Sequence, residues 1–206
     1  MTYSIIARAG PRIGVAVASA LPGVGGKVPL IVRGRGALCA QAVINPFWRP
    51  YGGMMLAKGA GAADIVRTLA TPDPGRAVRQ LLVLGDDNKL AVDTGAQCQP
   101  WCGHWCGDGL AVAGNRLAGP QVLAEMVRAY GIRSDLPLDA RLLVALQAGE
   151  AAGGDRRGRR SAAVAVDHDV IAIDASEDPL ADIARRLQPV QPANGLLSQP
   201  VPGLLA

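Results

Sequence analysis

TYSIIARAGPRIGVAVAS, residues 2–19, consists of two apolar runs separated by the turn sequence Gly10-Pro11-Arg12. Short apolar runs on either side of a Gly-Pro turn are typical of paired antiparallel strands. The chain is therefore predicted to begin with a β-hairpin. Because side chains alternate between the two faces of a strand, we expect Thr2 and Ser4 to share a face.

The order of the remaining elements predicts the fold class. After a second hairpin around Gly34-Arg35-Gly36, helices and strands follow in alternating groups. Strands are predicted at 30–32, 37–43, 80–84, 90–92, 110–113, 161–166 and 170–173, and helices at 54–59, 61–70, from 120, at 138–147 and at 179–187. Grouped strands do not form βαβ units. They favour layered antiparallel sheets covered by helices over a doubly wound parallel fold.

Composition excludes several classes of protein. Half of the 206 residues are apolar and 3% are aromatic, which predicts a core built from Ala, Val, Leu and Ile. A net charge of +4 is too small to indicate nucleic-acid binding. No apolar run is long enough to span a membrane or to act as a secretory signal. We therefore expect a cytoplasmic protein whose four cysteines are reduced.

The chain is expected to form one domain, residues 1–188, followed by an irregular tail. Residues 189–206 contain several prolines and no charged side chain, and this composition is typical of a segment without packed structure.

Several motifs resemble one family. They are MTYSIIAR (1–8), IGVAVAS (13–19), GGKVPL (25–30), NPFWRPYG (45–52), DPGRAVRQ (73–80), DTGAQCQPWCGH (93–104), GNRLAGPQVLAEM (114–126) and AGGDRRGRRSAA (152–163). Together they resemble the domain of unknown function 1028 family, which is placed in the N-terminal-nucleophile (Ntn) hydrolase superfamily. The resemblance implies an α+β fold: a four-layer αββα sandwich of two antiparallel sheets.

The resemblance also implies a nucleophile. Ntn hydrolases use the side chain of the first residue of the mature chain as nucleophile and its α-amine as base. Thr2 is the candidate here, because removal of Met1 would expose it at the start of the first strand. The alternative is that Met1 is retained and Thr2 is an ordinary strand residue. Ser4 is the second candidate hydroxyl.

Four further residues have candidate catalytic roles by this resemblance. Lys27 or Arg33 would lower the pKa of the nucleophile and stabilise the oxyanion, and Asp155 and Ser161 would support the N-terminal amine. Each has a structural alternative. Lys27 and Arg33 could be surface charges beside a Gly-rich loop, and Asp155 could pin a helix-to-strand connection through ion pairs.

Candidate substrate contacts come from amides and guanidinium groups. Asn45 and Asn115 could donate to an oxyanion or could stabilise turns. Arg157 and Arg159 could bind a carboxylate through forked hydrogen bonds or could form internal ion pairs.

The cluster Cys98, Cys102, His104 and Cys106 requires a test for metal binding. Structural zinc sites pair two cysteines with a second, distant pair, whereas these four residues fall within one loop. We therefore expect a packed loop with free thiols, no metal and no cofactor.

These observations predict an amidohydrolase that cleaves a C–N bond by acyl transfer to Thr2. Its substrate would be a small molecule, either neutral or anionic. The alternative is a catalytically silent Ntn-fold protein that binds or assembles, and a third interpretation is a Cys/His metal or redox protein. We expect a homodimer that binds a small molecule but neither nucleic acid nor membrane.

Overall fold

The computed structural model describes residues 2–107 and 109–187, so the tail at 189–206 and Met1 lie outside the described residues. The strands are β1 (Thr2–Ala9), β2 (Arg12–Ser19), β3 (Pro29–Val32), β4 (Gly36–Ala42), β5 (Arg79–Leu84), β6 (Leu90–Thr94), β7 (Gly103–Gly107), β8 (Leu110–Asn115), β9 (Ser161–Val166) and β10 (Asp169–Ile173). The helices are α1 (Trp48–Ala57), α2 (Ala62–Ala70), α3 (Gln121–Ile132), α4 (Leu138–Ala151) and α5 (Pro179–Arg186). None of these helices, in the part of the chain that the structure describes, is long and apolar enough to cross a membrane.

The strands form two antiparallel sheets. One has six strands in the order β10-β9-β2-β1-β8-β7, and the other has four in the order β3-β4-β5-β6. Helices α3, α4 and α5 cover the six-stranded sheet, and α1 and α2 cover the four-stranded sheet. The expected four-layer αββα sandwich is therefore confirmed.

Alternation along β1 decides which side chains face which layer. Tyr3, Ile5 and Ala7 pack in the core between the six-stranded sheet and its helices. Ile6 packs in the second core, between the two sheets. Thr2 has the same parity as Ile6 and so belongs to the inter-sheet face.

The covering helices lie close to the sheets where side chains are small. A Cβ atom on Gly14 of β2 would lie 2.5 Å from the Leu142 side chain of α4, so glycine allows this close contact without a shift of Leu142. The bulky side chains of α4 then fill the groove beside it, as Leu142 and Leu146 are fully buried. Close approach of this kind gives a tightly packed core between the six-stranded sheet and α4.

Two elements differ from those predicted. Strand β7 (Gly103–Gly107) was not predicted, because its sequence GHWCG carries no apolar run; it is an edge strand whose residues are half-buried or exposed. Helix α1 begins at Trp48, inside a segment that was expected to be irregular because it contains Pro50, Gly52 and Gly53. The sheet packing of α1 overrides the low helix propensity of those residues.

Candidate functional site

Polar side chains occupy one end of the space between the two sheets. At the other end and in the middle this space is filled by apolar side chains such as Ile6, Ile13 and Leu84. The strand pairing Thr2↔Ser19, Thr2↔Asn115, Ser19↔Ser161 and Gln41↔Gln80 places the polar members in neighbouring positions. The buried uncharged polar residues at this end are Thr2, Ser4, Ser19, Gln41, Gln80, Asn115 and Ser161.

Thr2 lies at the centre of this polar end and is 5% exposed. Its hydroxyl donates to Ser19 Oγ at 3.3 Å. A cavity of about 50 Å³ lies against it, and Lys27 and Gln41 also line that cavity. A volume of this size holds a few water molecules. The loop at 20–24 contributes Leu21, Pro22 and Val24 to the cavity wall.

Gln80 is the hub of a hydrogen-bond network that joins the two sheets. Its Nε2 donates to Gly114 O at 2.8 Å, and its Oε1 accepts from Asn115 Nδ2 at 2.8 Å and from Gln41 Nε2 at 3.1 Å. Gln41 Oε1 in turn accepts from the Ser4 hydroxyl at 2.7 Å. Ser4 is thus committed to an amide and is not placed to attack a substrate.

Asn115 connects this network to the first strand. Its Nδ2 also donates to the Thr2 carbonyl oxygen at 3.4 Å, so both of its N–H groups have acceptors. To bind an oxyanion, Asn115 would have to give up one of these two hydrogen bonds. The amide of Asn115 therefore fixes the position of the Thr2 backbone in the structure as it stands.

Asp155 is a buried carboxylate at the same end of the six-stranded sheet. Its Oδ1 accepts from Arg157 N at 2.7 Å and its Oδ2 from Ala20 N at 3.3 Å, directly after the β2 residue that pairs with Thr2. Burial raises the pKa of Asp155 above its ordinary value, although the Arg157 and Ala20 N–H groups and the Arg157 charge oppose this shift. Asp155 thus lies beside the residue that follows β2, and its support of the N-terminal amine stays a prediction.

Ser161 holds the loop that closes the cavity. Its hydroxyl donates to Leu21 O at 2.5 Å and accepts from Val24 N at 3.2 Å. Ser161 therefore orders the loop beside Thr2 and does not contact the Thr2 hydroxyl itself.

The two candidate cations lie at different ends of the sandwich. Lys27 donates from Nζ to Pro22 O at 3.1 Å and lines the cavity of Thr2. Arg33 is exposed in the β3–β4 turn, where its charge helps to lower the pKa of Asp167 against the opposing effect of burial. Asp167 accepts from Ile13 N, at the end of β2 opposite the polar end. The structure thus brings Lys27, and not Arg33, to Thr2.

Arg159 is also placed away from the cavity of Thr2. Its guanidinium contacts Glu150 at 2.6 Å and Asp178 at 3.0 Å, and Glu150 accepts from the Tyr3 hydroxyl at 2.7 Å. These contacts tie the start of β9 to α4 and to the start of α5.

Asn45 belongs to a second ion-pair cluster, which it forms with Asp73 and Arg79. Its Nδ2 donates to Asp73 Oδ2 at 2.6 Å, and Asp73 also contacts Arg79 Nε at 2.9 Å. Burial raises the pKa of Asp73, but the hydrogen bonds from Asn45 and Gly75 N and the Arg79 charge outweigh it, so the pKa is lowered. The position of Asn45 therefore favours a structural role.

We expect Asp73→Asn to lower the urea midpoint of unfolding at pH 7 by more than at pH 3. A carboxylate whose pKa is lowered by folding stabilises the protein above its unfolded pKa of about 3.9, and this contribution is lost as the pH falls through the folded value. Asp64→Asn is the control. The ion pair of Asp64 with Arg67 is highly exposed, so its loss should change the midpoint little at either pH. An equal loss at both pH values for Asp73→Asn would contradict the assignment.

In the cysteine cluster, Cys98 is buried and Cys102 is half-buried, whereas His104 and Cys106 are exposed on β7. Cys98 Sγ donates to Arg79 O at 3.2 Å and Cys102 Sγ to Cys98 O at 3.3 Å. Burial and the neighbouring Cys102 raise the pKa of Cys98 to about 11, which leaves it as an unreactive thiol near neutral pH. Within 2–107 and 109–187, no group of three or more His, Cys, Asp or Glu side chains could hold a metal ion.

A second cavity, of about 220 Å³, adjoins the cavity of Thr2, and Leu21 and Ala42 line both. Asn115, Arg116 and Arg157 line the second cavity. Among the residues at this end, Ser19, Gln41, Gln80 and Arg116 were not predicted from the sequence.

The layers and the polar end define a class: an αββα sandwich protein with a hydroxyl at the start of its first strand, inside the inter-sheet space. The chain belongs to the family of unknown function DUF1028, whose model matches residues 2–185. A crystal structure of a Silicibacter pomeroyi protein of that family is 32% identical, with a TM-score of 0.83 over 91% of this chain and 84% of the other.

More remote likenesses are found among solved structures. One is Thiobacillus denitrificans BPH in complex with epoxomicin, at 14% identity and a TM-score of 0.44 over 84% of this chain and 99% of the other. Another is HslV from Trypanosoma brucei, at 10% identity and a TM-score of 0.44 over 80% and 98%. No curated protein matches the chain.

Proposed function

We propose that the protein is an amidohydrolase that cleaves a C–N bond in a small molecule, with Thr2 as nucleophile after removal of Met1. The observation that carries this proposal is the position of Thr2. Its hydroxyl faces the polar end of the inter-sheet space, 3.3 Å from Ser19 Oγ and beside a cavity that Lys27 also lines. A hydroxyl on the first residue is the arrangement that Ntn chemistry requires.

The proposed reaction proceeds in two acyl transfers. Thr2 Oγ attacks the amide carbon while its proton passes to the Thr2 α-amine, whose pKa near 8 suits a base at cellular pH. The Lys27 ammonium stabilises the oxyanion. The α-amine then donates the proton to the leaving nitrogen as the C–N bond breaks, which leaves an ester on Thr2. Water, deprotonated by the same amine, hydrolyses the ester and restores the hydroxyl.

Asp155 and Ser161 have supporting roles in this proposal. Asp155 lies next to Ala20, close to the start of β1, where its carboxylate would orient the protonated amine. Ser161 holds Leu21 and Val24 and so maintains the cavity wall. Arg157 borders the adjoining cavity and would contact substrate. Arg33, Arg159 and Asn45 have no place in this mechanism.

The intact mass of protein produced in cells without an N-terminal tag tests the proposal. We expect a mass that is short by one methionine residue, together with ammonia or amine release from at least one member of a panel of small amides. A full-length mass would leave the Thr2 amine acylated and would exclude this mechanism. The silent binding protein would then be the better assignment.

We further propose a cytoplasmic homodimer that does not bind nucleic acid. The modest net charge of +4 supports the last point. Sedimentation velocity of the untagged protein tests the oligomeric state, and a single species at the monomer mass would contradict a dimer.

A further inference from the structure

The cavity beside that of Thr2 carries two guanidinium groups. Arg116 and Arg157 line it together with Gln97, Gln99 and Asn115. It adjoins the Thr2 cavity, because Leu21 and Ala42 line both. A ligand in one cavity is therefore a short distance from the other.

Arg116 differs from most arginines of this chain. Arg76, Arg79 and Arg159, for example, have an aspartate or glutamate within 3.0 Å. Arg116 is half-buried, and no residue in the described ranges forms an ion pair or side-chain hydrogen bond with its guanidinium. A half-buried cation that lacks an internal acceptor is available to an external anion.

The backbone of Arg116 is also unusual. Its φ of 57° is in the left-handed region, which disfavours residues other than Gly, Asn and Asp. The backbone is held there because Arg116 N donates to Gln99 O at 2.8 Å. Residues kept in such conformations occur preferentially at ligand-binding sites, so an arginine here is consistent with a role for its side chain.

The net charge of the residues around this cavity matches that of one carboxylate. Arg157 lies 3.7 Å from Asp155, so that carboxylate offsets one of the two positive charges at the cavity. One positive charge remains, and it matches a monoanion better than a phosphate dianion. Guanidinium groups bind carboxylates through paired N–H donors, and the neighbouring glutamine amides can donate further hydrogen bonds.

The strand register places the backbone of Arg116 close to that of Thr2. Thr2 and Asn115 are direct partners in the β1–β8 pairing, which places their Cα atoms about 5 Å apart. Arg116 follows Asn115 in the chain. The two cavities therefore lie side by side, so a short molecule with its carboxylate in the cavity of Arg116 can extend toward Thr2.

We propose that this cavity is a carboxylate-binding subsite in which Arg116 and Arg157 hold the carboxylate of a small amide whose scissile carbonyl reaches Thr2. The substrate class is a short amide acid, such as a monoamide of a dicarboxylic acid. The position of the scissile bond rests on the proposed function, whereas the binding of the carboxylate does not.

Calorimetric titration tests the subsite with succinamate and glutaramate as probes, the neutral diamides as uncharged analogues and inorganic phosphate as the competing anion. Thr2→Ala serves as the background because it cannot turn the probes over. We expect one of the amide acids to bind and both diamides and phosphate to bind much more weakly. Added in that background, Arg116→Asn, which suits a positive φ, and Arg157→Gln should each weaken binding about ten- to hundredfold.

Arg156→Gln is the matched control, because Arg156 is exposed in the same arginine run and does not line the cavity. It should leave binding unchanged. Equal binding of the diamide, tighter binding of phosphate, an unchanged affinity in Arg116→Asn, or no binding of either amide acid would overturn the subsite. Binding that depends on Arg116, in a protein that retains Met1, would overturn the proposed hydrolysis alone and keep the subsite.

Discussion

Thr2→Ala is expected to abolish acylation of the protein by a small β-lactone, together with the hydrolysis of every amide that the wild-type protein cleaves. Alanine removes the only atom that forms the covalent bond and leaves the α-amine and the fold in place. Loss of a nucleophile in a hydrolase costs about a million-fold in turnover, so the residual rate should equal the background. Mass spectrometry of the lactone adduct and amine release from amides measure the two effects.

Two variants control this result. Thr2→Ser keeps a hydroxyl and a small first residue, and it should retain acylation. Ser4→Ala removes the neighbouring hydroxyl on the same strand face, which donates to Gln41, and it should leave the adduct on Thr2. An adduct that maps to Ser4 or to a cysteine in the wild-type protein would refute Thr2 as the nucleophile.

The parts of the fold that follow from local patterns could be predicted. The hairpin of β1 and β2 is encoded by two apolar runs and a Gly-Pro turn, and both strands are where the pattern places them. The second half of helix α1 falls within the helix predicted at 54–59, but its first half could not be predicted, because Pro50 and Gly52 lower helix propensity. The reason for a glycine at position 52 lies in the packing of the helix on the sheet. A Cβ atom on Gly52 would lie 2.4 Å from the Leu38 side chain, so glycine permits the helix to approach the sheet.

Only those residues of the candidate site that belong to a family motif could be predicted from the sequence. Thr2, Lys27 and Asp155 come from such motifs, and the structure places all three at the polar end. Gln41 and Gln80 lie near the start or end of their strands, where a glutamine is typical of a solvent-facing position. They are buried because the second sheet covers them, and pairing between sheets is not visible in the local sequence.

Gln80→Leu is expected to lower the free energy of unfolding by about 3–5 kcal/mol, because each buried polar group that is left without a partner costs about 1–3 kcal/mol. Gln80 is fully buried, and leucine is close to it in volume, so the loss should come from hydrogen bonds and not from packing. The groups that lose a partner are Gly114 O, Gly103 O, Thr94 Oγ1, Asn115 Nδ2 and Gln41 Nε2. Urea unfolding at equilibrium measures the effect.

The same substitution should also slow acylation of Thr2, since Gln80 orients Asn115 and Asn115 donates to the Thr2 carbonyl. Gln147→Leu is the matched control: it makes the same change on the exposed face of α4 and should alter stability by less than about 0.5 kcal/mol. If the network acts as a unit, Gln41→Leu combined with Gln80→Leu should cost less than the sum of the two single changes. Wild-type stability in Gln80→Leu would mean that the two sheets are held together by their apolar core alone.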